Sequence, residues 1–307
     1  EHLRDYEVSV STKRQSSIGG DEQTDGALSS AGMLPNGEVG EEAVPRAPTA
    51  RRMRIPARHN AKLNHLVDRM NDDLELQQLW KCANVTAVER LRMTDHGPVH
   101  VRIVTNIALR LLRLLADADV ELSIVKDYGM HIDDAEVVVV LAAAMHDIGM
   151  SIHRSNHEQY SLMLAAPKIR ELLSDIYEEP ERTIITSETL HAIISHRSDM
   201  RGLTAEAGCV KVADALDMAE GRSRIGLQTG KVDVHSLSAA AIDTVTIHRG
   251  EHRPIGINVA MNNSVGIFQL DELLKPKIAT SGISQYIEVQ ASIEGETERR
   301  LLPVYNL

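Results

Sequence analysis

The longest apolar run in this sequence, residues 137–145, leads directly into the dipeptide His146-Asp147. The run is far shorter than the roughly 20 residues that a membrane-spanning helix needs. Four valines continue into Leu, Ala and Met, and these good helix formers favour a helix over a strand. The sequence therefore predicts a buried helix over 134–148. This helix delivers two adjacent polar side chains to its C-terminal end, where we expect Gly149 to stop it.

Helical periodicity extends over most of residues 56–230. Apolar stripes with a period of 3.6 residues predict several further helices, near 63–70, 74–83, 155–175, 182–197 and 205–220. Aromatic residues make up only 3% of the chain. Aliphatic side chains and Met must therefore fill the core, which favours packed helices over an aromatic-rich β-sandwich.

One more predicted helix carries a histidine on its buried side. Asp95 can cap this helix, and Pro98 falls in its first turn, where the missing N–H costs nothing. His100 lies on the apolar stripe, one turn before Val104. A single His on such a face is usually a hydrogen-bonded core residue. Eight of the 14 histidines fall within 96–196, and buried polar groups that converge need partners, which a divalent metal supplies.

The two ends of the chain differ from this middle part. Residues 1–55 are rich in Ser, Gly, Thr, Glu and Pro without apolar periodicity, so we expect a disordered leader. Residues 231–307 contain β-branched stretches, turn residues and one helix near 267–279, which predicts a small α+β domain for dimerisation or regulation. The predicted fold class is thus mainly α: a helical bundle over 56–230, followed by the small α+β domain.

Charge and cysteine content limit the partners and the compartment. The net charge of −11 provides no overall attraction to nucleic acid polymers or anionic membranes, so we expect neither as a partner. Cys82 and Cys209 lie far apart and form no disulfide framework, which favours a reducing compartment, and we expect a cytoplasmic protein. The sequence has no Gly-rich phosphate loop of the P-loop type. An anionic substrate must therefore be bound by metal ions or by local arginines.

The histidines and aspartates follow one another in a recognisable order. Taken alone, the dipeptide His146-Asp147 is better explained as a side-chain pair at a helix end. Its companions are found in DHGPVHVRIVTNIA, NHEQYSLMLA, HAIISHRSDM and VKVADALDMAEGRSRI. This order of His, His-Asp, His, His and Asp resembles the HD-domain superfamily of metal-dependent phosphohydrolases over residues 90–225.

The resemblance implies a ligand set. The positions that match the ligands of the first metal in the family are His100, His146, Asp147 and Asp214. The closing Asp of the family follows a small residue, which matches Asp214 in VADALD rather than Asp217. His157 and His196 match the two extra histidines of dinuclear members that hydrolyse dinucleoside polyphosphates, and Asp147 then bridges. Such a mixed set suits one or two Mn²⁺, Fe²⁺, Co²⁺ or Zn²⁺ ions better than Ca²⁺.

Candidate substrate-binding residues flank the matched ligands: Arg154, Arg197, Arg222, Arg224 and His96. An Arg fork recognises phosphate well, although a solvated surface charge explains each arginine equally well. Met150 stands where many cyclic-dinucleotide phosphodiesterases of the superfamily have Lys, and the later Gly-Tyr-Pro run of those enzymes is absent. These two departures argue against that activity.

The sequence therefore predicts a metal-dependent phosphatase or phosphodiesterase acting on a small phosphorylated, nucleotide-like substrate, with His146 and Asp147 as catalytic residues. Two alternatives use the same ligands. One is a di-iron oxygenase, which iron content and oxygen consumption would distinguish. The other is a regulatory module that binds a metal or nucleotide, with the C-terminal domain mediating homodimerisation or sensing. The intact ligand set argues against the regulatory module.

Overall fold

The computed structural model describes residues 52–218, 234–293 and 304–306. The first of these ranges contains the helices α1 Ala61–Asp72, α2 Leu74–Asn84, α3 Pro98–Ala116, α4 Ser123–Tyr128, α5 Ile132–Met145, α6 His157–Leu172, α7 Glu179–Ser195 and α8 Ala205–Leu216. A π-helical turn, Val85–Arg90, follows α2, and a 3₁₀ turn, Ile148–Ser151, separates α5 from α6. The mainly helical fold is confirmed, although α4 was not predicted. Residues 1–51, most of the predicted leader, lie outside the described residues.

Several helices begin where a polar side chain accepts a backbone N–H. Asn60 accepts from the amide of Leu63 at 2.9 Å, and Asp73 accepts from that of Leu76 at 2.8 Å. The N-cap residue of α3 is Gly97, and the predicted cap Asp95 acts from two residues upstream. Its Oδ1 accepts from the Gly97 amide at 2.7 Å. This contact fixes the turn from which His100 projects.

Helix α5 lies at the centre of the helical part. It is buried from residue 134 to residue 145 and packs against α3, α7 and α8. A helix that is apolar on all sides must be enclosed by others, and burying each Val or Leu contributes about 1.5–3 kcal/mol. Among the residues that the structure describes, no helix combines the length and apolarity needed to cross a membrane.

The chain leaves α5 by a route that differs from the predicted one. The helix ends at Met145, and Gly149 lies beyond this end, in the 3₁₀ turn. A Cβ atom on Gly149 would lie 2.0 Å from the carbonyl oxygen of His157 and 2.4 Å from the amide nitrogen of Ser161. The prediction that Gly149 stops the helix is therefore wrong. Glycine is required because the turn packs directly on the backbone of α6.

The C-terminal region forms a small α+β unit. A short helix, α9 Val234–Ala240, precedes the strands β1 Ile242–Arg249, β2 Ile255–Met261, β3 Ile287–Ile293 and β4 Val304–Asn306. The strand order is β1-β2-β3-β4, and only the β2–β3 pair is parallel. The crossover that this parallel pair requires contains α10 Ile267–Gln269, a π-helical turn Leu270–Leu274 and α11 Lys275–Thr280. Three strands and this helical segment were predicted, whereas α9 and β4 were not.

The segment after β2 packs closely on the helical part. Thr280 accepts a hydrogen bond from the Gly202 amide at 2.9 Å, and its hydroxyl donates to the Ser198 carbonyl at 3.1 Å. A Cβ atom on Gly208 of α8 would lie 2.7 Å from the Ser281 carbonyl oxygen. Helix α11 is thus held against α8 and the loop before it. The apolar core is continuous from the helices into the sheet.

Candidate metal centre

Four of the predicted ligands lie around one point. Ligand atoms of His100, His146, Asp147 and Asp214 all fall within 4.8 Å of one another. They come from the first turn of α3, the C-terminal end of α5, the residue before the 3₁₀ turn, and α8. His100 Nε2 lies 3.1 Å from His146 Nε2, 3.4 Å from Asp147 Oδ2 and 3.5 Å from Asp214 Oδ1. We call these four residues group one.

A second group shares Asp147 with the first. Asp147 Oδ1 lies 3.1 Å from His157 Nε2 and 3.6 Å from His196 Nε2, and the two nitrogens are 3.4 Å apart. His157 begins α6 and His196 follows α7. We call Asp147, His157 and His196 group two. Asp147 therefore directs Oδ2 to group one and Oδ1 to group two.

The donor set fits divalent metal ions. Nε2 atoms of different histidines face each other at 3.1 and 3.4 Å, and two neutral imidazoles make such a contact only where one of them donates a proton. A cation satisfies all of these lone pairs at once. Imidazole nitrogens with carboxylate oxygens are ligands for Zn²⁺ and related transition metals. The cluster can therefore hold divalent ions.

The other ring nitrogen of each histidine has a partner that orients the ring. The Nδ1 acceptors are Asp217 Oδ2 for His100 at 2.6 Å, and the backbone carbonyls of Ala143 for His146 at 2.9 Å, Arg154 for His157 at 3.0 Å and Ile193 for His196 at 2.6 Å. A proton on Nδ1 leaves the Nε2 lone pair for a metal. From the sequence, Asp217 was considered only as a rival of Asp214 for the metal, and its contact with His100 was not predicted. Its position three residues after Asp214 was the available indication.

Opposite charges determine protonation inside the cluster. Burial lowers the pKa of His146, but the carboxylates of Asp147 and Asp214 outweigh burial and raise this pKa to about 10. Burial raises the pKa of Asp147, yet His146 and His100 hold it well below its usual range. Burial and the neighbouring charge of His146 lower the pKa of His196 to about 3. In the absence of metal, these shifts favour a protonated His146 and a neutral His196.

The candidate substrate-binding residues are placed differently. His96 is buried, with its ring 5.5 Å from that of His100 and Nε2 4.0 Å from Asp147 Oδ2. Arg154 Nη1 lies 3.2 Å from His157 Nδ1. Arg197 instead pairs with Asp199 at 2.7 Å. The two other candidates, Arg222 and Arg224, lie outside the described residues.

Asp214 has a partner that the sequence did not indicate. Its Oδ2 contacts the ammonium group of Lys277, which lies on α11 in the C-terminal region. Burial raises the pKa of Asp214, but Lys277 and His146 outweigh it and hold this pKa well below its usual range. The two residues are 63 positions apart, and no local pattern connects them.

Comparisons with known proteins agree with this geometry. The profile of the HD domain matches residues 99–219, a range that contains all six predicted ligands. An uncharacterized protein of Methanocaldococcus jannaschii is 41% identical over 231 residues, which cover 75% of this chain and 89% of the relative. No solved structure matches this chain significantly. The resemblance inferred from the sequence is confirmed, and the chain belongs to the HD-domain superfamily of metal-dependent hydrolases.

Proposed function

We propose that this protein is a phosphohydrolase that cleaves a phosphate ester or phosphoanhydride in a small, nucleotide-like substrate. One observation carries the proposal: a buried carboxylate, Asp147, directs one oxygen to each of two groups of ligand atoms. Two adjoining cation sites of this kind suit the binding of a phosphoryl group and a water molecule side by side. The family supports a metal-dependent hydrolase in general, and the phosphorylated substrate is our proposal.

The chain contributes binding, charge and orientation to this reaction. Bound divalent ions would supply Lewis acidity and lower the pKa of a coordinated water. The buried carboxylates compensate the positive charge, and the Nδ1 partners keep all four imidazoles in one orientation. His96 lies beside Asp147, where its Nε2 can exchange a proton with a group bound at the cluster. Arg154, next to His157, is placed to donate hydrogen bonds to a phosphoryl oxygen.

The test is elemental analysis of the purified protein followed by a panel of phosphoesters, with Mn²⁺, Fe²⁺, Co²⁺ or Zn²⁺ added separately. We expect metal-stimulated turnover that falls by about 10³-fold or more in Asp147→Ala, because this residue serves both groups. Asp199→Ala is the control, since the Asp199 side chain is 63% exposed and pairs only with Arg197 among the described contacts.

Three results would contradict the proposal. Turnover that is retained in Asp147→Ala would show that the activity does not depend on the cluster. Iron content with oxygen consumption and no phosphoester cleavage would favour the oxygenase. Binding of metal or nucleotide without any turnover would favour the regulatory module.

A further inference from the structure

The two oxygens of Asp214 face in different directions. Oδ1 lies 3.5 Å from His100 Nε2 and 3.7 Å from His146 Nε2, inside group one. Oδ2 contacts the ammonium group of Lys277. Lys277 belongs to α11 and lies outside the range that the HD-domain profile matches. The C-terminal region thus places a cation directly beside a candidate metal ligand.

This position is fixed by backbone packing. Helix α11 is tied to the loop before α8 through Thr280, which contacts both Gly202 and Ser198. The next residue, Ser281, approaches α8 so closely that only glycine fits at position 208. The ammonium group is therefore carried by a segment with little freedom to move.

The pair lies on the more exposed side of group one. Side-chain exposure is 18% for Lys277 and 14% for Asp214, compared with 0% for His100 and 5% for Asp147. A substrate must approach from a side that solvent reaches. An ammonium group has three donors, so contact with one carboxylate oxygen leaves it able to bind an anion as well.

A second ammonium group nearby has a different environment. Lys211 on α8 is fully buried and donates to the carbonyl oxygens of Arg197 and Met200. It holds the loop after His196 and has no exposed surface for a substrate. Lys277 is the better placed of the two to contact a ligand.

We propose that Lys277 binds a phosphoryl oxygen of the substrate, so that the C-terminal region supplies one wall of the active site. The inference rests on the proposed phosphohydrolase function. A cation beside a metal ligand weakens metal binding by charge repulsion. An anionic phosphoryl group that contacts the ammonium group beside the cluster would offset that repulsion. Lys277 would then select for phosphorylated ligands.

The test measures binding of inorganic phosphate to the full chain loaded with Mn²⁺, by titration calorimetry. We expect the Kd for phosphate to rise about 10- to 100-fold in Lys277→Met, the loss of one charge-assisted hydrogen bond. Lys277→Arg should retain most of the affinity. The control is Lys275→Met on the same helix, since the Lys275 side chain is 59% exposed and pairs with Asp271. Manganese content should not fall below that of the wild type in any of the three variants, and Tm should stay near the wild-type value.

Failure of this inference and failure of the proposed function give different results. Phosphate binding that is unchanged in Lys277→Met overturns the inference even if the wild type hydrolyses phosphoesters. Loss of manganese in Lys277→Met, with phosphate affinity restored by excess metal, overturns it as well and makes Lys277 a positioning residue for Asp214. Absence of phosphate binding by the metal-loaded wild type also overturns it. Lys277-dependent phosphate binding without turnover supports the inference and contradicts only the proposed function.

Discussion

The two ligand groups that share Asp147 differ in charge. Group one contains a second carboxylate, Asp214, and a third, Asp217, lies 2.6 Å from His100 Nδ1. Group two contains Asp147 and two histidines whose Nδ1 atoms face backbone carbonyls, and the Glu158 carboxylate lies 3.3 Å from His157 Nδ1. Attraction between a dication and a carboxylate exceeds that between a dication and a neutral imidazole. We therefore expect group one to bind its ion more tightly.

The nearby cations modify this difference without reversing it. Lys277 contacts Asp214 in group one, and Arg154 lies beside His157 in group two. Each group thus has one neighbouring cation and one carboxylate beside a histidine Nδ1, whereas group one alone has a second ligand carboxylate, Asp214. As the metal concentration rises, group one should therefore bind its ion before group two does.

The strongest test of this comparison removes one histidine from each group. His100→Ala should reduce the tightly bound metal to well below one ion per chain and turnover by about 10³-fold or more. His196→Ala, at a position that is also buried in the wild type, should retain about one ion per chain and lose less activity. Elemental analysis after gel filtration and turnover measurements check both. Equal metal loss in the two variants would show that the groups do not differ in affinity.

A smaller effect is expected from the partner of His100. Asp217→Asn keeps the shape of the side chain but removes the charge that supports Nδ1–H. Metal affinity at group one should fall about 10- to 100-fold, the usual consequence of losing an outer carboxylate. Competition with a chelator measures this change, and Asp199→Asn is the exposed control. An unchanged affinity would mean that the carboxylate beside His100 Nδ1 strengthens metal binding no more than a neutral partner does.

The smallest effect concerns group two. Arg154→Met removes an exposed cation beside His157 while preserving the backbone carbonyl that His157 uses. Removing this cation should tighten binding of the ion at group two. The change should be only a few-fold, because charge repulsion near a protein surface is screened. A metal titration of the second equivalent checks this, with Arg197→Met as the control. Weaker binding of the second ion would mean that Arg154 stabilises group two.

Much of this architecture could be predicted from local patterns. The apolar run of α5 and the β-branched stretches of β1 to β3 predicted the central helix and most of the sheet. The order of His and Asp residues named six side chains, which the structure brings into two adjoining groups. Whether they bind metal stays a prediction.

The parts that the sequence did not predict depend on contacts between distant segments. Lys277 meets Asp214 only because α11 packs on α8, and no periodicity encodes that packing. The role of Asp217 depends on the direction of its side chain beyond the end of α8. Gly149 was predicted to end α5, because glycine is common at helix ends. Its actual role is to leave space for the backbone of α6.

The close approach at Gly149 has a mechanical consequence. Its amide donates to the Ser161 hydroxyl at 2.9 Å, and that hydroxyl donates to the His146 carbonyl at 2.6 Å. These two hydrogen bonds connect the backbone that carries His146 and Asp147 to the first turns of α6, which carry His157. A shift of either segment to fit an ion of different radius would displace the other segment. We therefore expect both ligand groups to discriminate between ions of different size together.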